Sequence, residues 1–203
     1  MKKIMKRVSI CLAVAVLIWA GGLICDRKTL NEELIRLHVV ANSDSEEDQA
    51  IKMRVRDAVV ESLKETMSDI ADVEEAKTYI RENLPKIQSV ANQVLSSAGV
   101  EADAVVTLGK EVFDTRHYDT FSLPAGVYES LRIIIGEGQG HNWWCVVFPS
   151  LCIPATSAGF EEVAAGAGFD EDLTAALEEE SGYEIRFFLL DKLGELENKL
   201  FRG

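Results

Sequence analysis

The sequence predicts an α+β domain: a mainly antiparallel sheet packed against two long helices, behind an N-terminal signal or anchor helix. Three observations predict it. Four basic residues and an uncharged apolar run open the chain. Two long stretches with apolar residues at helical spacing occupy roughly residues 44–98. From Ala102 the texture changes to short β-branched runs punctuated by glycine and proline. The 203 residues suit one domain of ordinary size plus an appendage.

Lys2, Lys3, Lys6 and Arg7 precede VSICLAVAVLIWAGGLIC, residues 8–25, which carry no charge. A basic segment before an apolar run is an export signal, and the cations keep the N-terminus on the cytoplasmic side. Eighteen helical residues rise ~27 Å against a hydrocarbon core of ~30 Å, so a cleaved signal peptide and an uncleaved anchor both fit. Ala20-Gly21-Gly22 supplies the small residues that cleavage after Gly22 requires. Ile24 and Leu23 are too large for Cys25 to serve as a lipoprotein acceptor.

Residues 1–25 are therefore the leader and 26–154 the α+β domain. Residues 155–203 form a C-terminal extension of helix, strand and helix packed on the same domain. Leu34–Ala41 (LIRLHVVA) reads as a buried strand. Asn42-Ser43 ends it, and Ser43 with Glu46 forms a capping box for a helix over 44–67, its first turn crowded with acids. Asp72 with Glu75 caps a second helix that ends before Gly99 and is expected to kink or split at Pro85. Val105–Phe113 is a strand, Asp114–Thr120 a loop and Leu123–Gly126 a turn. Val127–Ile135 and Trp143–Phe148 read as a hairpin around Gly136–Gly140. A helix is expected near 170–180, a strand at Tyr183–Leu190 and a final helix at Lys192–Phe201.

All 34 acids lie in residues 26–203, against 17 bases. A body with that excess offers no footprint for a phosphate backbone, which argues against nucleic-acid binding. The Gly136–Gly140 run has His141 where a dinucleotide fingerprint needs its third glycine, and it joins two strands instead of opening a helix. Asp44, Glu46 and Asp48 resemble the start of a calcium loop, but Gln49 and Val55 occupy its glycine and glutamate positions. No pattern calls for a metal or cofactor.

Cys145 and Cys152 remain in the body once the leader is set aside. They are either one disulfide, closed by a turn at Phe148-Pro149-Ser150, or two buried thiols; an exported setting favours the disulfide. The enzymatic alternative is a thiol hydrolase using Cys145 and His141, with Asn142 and His38 in support. A disulfide at Cys145 removes its nucleophile, so no catalytic set is assigned. His141-Asn142-Trp143-Trp144 is the most unusual stretch of the chain. Neighbouring tryptophans on a strand face opposite ways, so one enters the core and the other is either covered by residues 155–203 or presented to a partner. His141, Asn142, Trp143 and Trp144 are thus the first candidate contact residues, and Asn42 and Asp44 the second.

Leu37–Gln49 (LHVVANSDSEEDQ) with Lys52–Ala58 (KMRVRDA) resembles the N-terminal signature of the stage II sporulation protein R family. Leu123–Gly126, Leu131–Ile133 and Gly136–Cys152 (GEGQGHNWWCVVFPSLC) resemble its second signature, in the same order. The resemblance covers residues 33–154. It implies a signalling protein of endospore formers, made in the forespore and exported to the space between forespore and mother-cell membranes. There it would trigger a membrane-embedded, aspartic-type peptidase to process pro-sigma-E. An anchored structural module of the spore envelope is a third reading.

Overall fold

The computed structural model describes residues 2–67, 69–118, 121–149, 164–165, 168–178 and 184–202. Helix α1 runs unbroken from Lys2 to Glu32. Its apolar part stands clear of the domain, with Ile4, Leu12, Leu17, Ile18 and Trp19 exposed, and burial begins at Leu23 and returns at Asp26, Arg27 and Leu30. The helix is long and apolar enough to cross a membrane, which is compatible with export or anchoring. The first buried side chain lies just past Ala20-Gly21-Gly22, so a cut after Gly22 leaves the packed part of α1 on the domain.

Strand β1 (Ile35–Val40) is buried at every residue because it lies inside a four-stranded sheet covered on both faces. The order is β2 (Ala104–Phe113), β5 (Gly126–Ile135), β1, β6 (Asn142–Phe148). β1 runs parallel to β5 and antiparallel to β6, and β2 is antiparallel to β5, so the sheet is mainly antiparallel. The expected β5–β6 hairpin does not form. β1 occupies the slot between those strands, and residues 136–141 bridge over its C-terminal end. Between β2 and β5, the expected loop and turn hold a small ladder of β3 (Arg116–His117) and β4 (Ser122–Leu123).

Helices α2 (Glu46–Met67) and α3 (Val73–Ser97) cover one face, where Val55, Val59, Ile80, Ile87 and Ala91 meet Leu37, Val39, Leu131 and Ile133. Asp72 caps α3 as expected, accepting from the Glu75 amide at 2.9 Å. α3 is not split at Pro85. Proline removes one backbone bond, while the buried stripe on both sides of it is seated on a single sheet face.

The opposite face is covered by the end of α1, by α4 (Glu171–Leu177, capped by Asp170) and by α5 (Glu184–Arg202). The strand expected at Tyr183–Leu190 is replaced over 184–190 by the first half of α5. Leu190, Gly194 and Asn198 are buried at helical spacing, and that continuous face overrides the strand propensity of the aromatic run.

Candidate functional site

The two sequence signatures meet at the C-terminal end of β1. The Glu137 amide donates to Asn42 Oδ1 at 3.0 Å across 95 positions of sequence, and the His141 amide donates to Asp44 Oδ1 at 2.6 Å across 97. Gly140 N–H donates to the Ala41 carbonyl at 2.9 Å, and Gln139 N–H to that of Asn42 at 3.1 Å. The bridge therefore lies directly on the strand end. Gly136 adopts φ +55° with Asn42 Oδ1 where a Cβ would stand, and a Cβ at Gly140 would fall 2.2 Å from the Ser43 carbonyl oxygen.

The cap of α2 differs from expectation. Ser45 is the capping residue, its hydroxyl accepting from the Asp48 amide at 3.1 Å. Ser43 is drawn off by the Asp48 carboxylate, which also accepts from Asn42 Nδ2 at 2.9 Å. These hydroxyl and amide bonds hold the Asp48 carboxyl below the usual carboxylate range. Lys52 is buried beneath the bridge and donates to Gln49 Oε1 at 2.6 Å and to the His141 carbonyl at 2.8 Å; burial lowers its pKa. Asn42, Asp48 and Lys52 are scaffold, while Asp44, Glu46, Glu47, Glu137, Gln139, His141 and Asn142 form an exposed, mostly acidic rim. His141 Nδ1 reaches Asp44 Oδ1 at 2.5 Å with its ring 79% exposed.

Of the two alternatives left open for the tryptophans, presentation to a partner is not what the structure shows, because both are half-buried. Trp143 is half-buried on the α2 face with the Arg56 guanidinium 4.4 Å from its ring centre. Trp144, on the other face, stacks on His38 at 3.7 Å and meets Phe113 edge-on at 5.0 Å. Strand alternation sends them to opposite faces, and each is partly buried there, Trp143 on the α2–α3 core and Trp144 among His38, Phe113 and Arg116.

Beneath the rim a polar row crosses the sheet. Buried His38 on β1 engages Glu111 Oε1 of β2 through Nδ1 at 2.8 Å and Asn142 Oδ1 of β6 through Nε2 at 2.9 Å. Ser130 donates to the second Glu111 oxygen at 2.8 Å, and Arg132 lies 3.7 Å from the first. Burial alone would raise the Glu111 pKa, but His38, Ser130 and Arg132 outweigh it and hold the carboxyl below its ordinary value. Both ring nitrogens of His38 are occupied and one face is stacked, so it orders the strands and has no open position for a substrate. Sequence reasoning missed Glu111. The signal was its parity with core-facing Phe113 two residues on.

Cys145 is disulfide-bonded and buried in the α2–α3 core. His141 is engaged with Asp44 at the surface, so the two members of the thiol hydrolase alternative are not assembled into a site. Cys152 lies outside the described residues. Among the described residues, no group of three or more His, Cys, Asp or Glu side chains is placed to hold a metal ion.

The model of the stage II sporulation protein R family matches residues 31–158, most of the domain. Stage II sporulation protein R of Bacillus subtilis (strain 168) is 36% identical over 184 residues, 81% of this chain and 82% of that protein. The chain belongs to the stage II sporulation protein R family. No solved structure matches it. Family membership makes it a sporulation signalling protein, and both halves of the junction lie within the matched region.

Proposed function

We propose that this chain is exported into the space between forespore and mother-cell membranes. There it activates a membrane-embedded, aspartic-type peptidase by binding, so that pro-sigma-E is cleaved in the mother cell. The observation that carries the reading is the direct bonding of the Asn42–Asp48 segment to the 136–142 bridge. A strand-end loop clamped by half-buried Asn42 and buried Lys52 presents Asp44, Glu137, Gln139, His141 and Asn142 as one rigid surface. A rim that is rigid before binding pays little ordering cost on association. Its acidic character suits a basic patch on the receptor, where complementary charge speeds encounter. The apolar α1 helix supplies the export signal or anchor that this location requires.

Co-expression of the full chain with the peptidase and pro-sigma-E in a non-sporulating host tests the reading. Processing is expected only when all three are present and the chain is exported. Processing without the chain, or none with folded and exported chain, would contradict activation. We also propose that Cys145 pairs with Cys152. Non-reducing peptide mapping of exported protein should yield one linked peptide, and two free thiols would refute the pairing.

A further inference from the structure

α5 is apolar on two opposite faces. Leu190, Gly194 and Asn198 are buried against the domain. On the other side Ile185, Leu196 and Leu200 are 72%, 55% and 76% exposed, with Leu193 beside them and Phe188 at the margin. Leu189, in the same row, is half-buried against the domain, but the rest of the stripe is apolar where an amphipathic helix on a soluble domain carries polar residues.

The position of α1 indicates what covers it. Asp26 bonds Arg186 at 2.9 Å, and its neighbour Arg27 bonds Glu197 at 2.7 Å. Those partners lie ~16 Å apart along α5, whereas Asp26 and Arg27 are ~1.5 Å apart along α1. α5 therefore crosses α1 at this level, about one helical turn past Gly22. The exposed apolar part of α1 ends about one turn before this crossing, so α5 lies beside the point where α1 would enter a bilayer.

We propose that α5 is an interfacial helix. It lies on the bilayer that α1 enters, with Ile185, Leu193, Leu196 and Leu200 in the boundary between headgroups and acyl chains. Lys192, paired with Glu195 at 2.6 Å, and Lys199 lie along one edge of the stripe, where a lysine can turn its ammonium to lipid phosphate. This contact holds the acidic body against the membrane. It requires α1 in the bilayer and is independent of which protein the junction binds.

The test uses the full chain with Cys11→Ser and Cys25→Ser, which removes two exposed thiols, and a fluorescent NBD label at Leu196→Cys. The protein is reconstituted in phosphatidylethanolamine–phosphatidylglycerol vesicles, and quenching of Trp19 by nitroxide-labelled lipid confirms that α1 is inserted. The label at 196 is expected to shift to the blue and be quenched by lipid nitroxides near the headgroups. A control label at Glu82→Cys on α3 is expected to stay in water. A label at 196 that remains aqueous overturns the proposal. A blue shift without lipid quenching also overturns it, because the occupant is then a protein surface such as a second copy.

Discussion

Gly140→Ala is expected to abolish pro-sigma-E processing while the protein is still exported, at a stability cost of about 1–3 kcal/mol. A Cβ there would stand 2.2 Å from the Ser43 carbonyl oxygen and 2.9 Å from the Ala41 Cβ. The carbonyl belongs to the turn between β1 and α2 and has little room to yield. The bridge must lift, which breaks the Gly140–Ala41 bond and loosens the contacts from His141 to Asp44 and Lys52. Gly109→Ala is the matched control, since its Cβ meets nothing within 4 Å and the expected change is within about 0.5 kcal/mol. Denaturant melts and a processing assay on both variants decide the matter. Full activity of a folded Gly140→Ala protein would separate the bridge from signalling.

Glu111→Ala is expected to cost about 2–4 kcal/mol, the largest single loss from a polar substitution here. It leaves His38 Nδ1 and the Ser130 hydroxyl without their shared acceptor inside the sheet. The pH dependence follows from the lowered pKa of Glu111. The unfolded carboxyl takes up its proton near the ordinary value of about 4.3, before the folded one does. Its contribution is complete above that pH and is lost as pH falls through the folded value. The wild type is therefore expected to lose more stability on acidification below about pH 4.3 than Glu111→Gln, whose amide does not titrate there. Parallel acid limbs for the two proteins would show that Glu111 carries no such linkage.

The local elements were legible where one short stretch carries both the apolar period and its stop signal. β1 is a β-branched run ended by Asn42, and α3 has a single stripe opened by Asp72 and closed before Gly99. The false hairpin shows the limit. GVYESLRIII and NWWCVVF flank a glycine-rich turn, and no local feature reveals that a strand from residues 35–40 inserts between them. The strand expected at Tyr183–Leu190 failed because its aromatic density outweighed a helical period that becomes visible only when Leu190 is read with Gly194 and Asn198. At the site, Asn42, Asp44, His141 and Asn142 are brought together, while Trp143 and Trp144 part to opposite faces. Lys52 and Glu111 escaped notice because their roles rest on partners 89 and 73 positions away.

Site-specific photocrosslinking tests most directly the claim that the junction is the receptor contact. A photoreactive side chain at exposed Gln139, which joins the junction through its backbone amide, should capture the peptidase in cells that process pro-sigma-E. The same group at exposed Glu82 on α3 should capture nothing. Capture from 82 and not from 139, in cells where both variants still signal, would place the contact on the α2–α3 face and contradict the account.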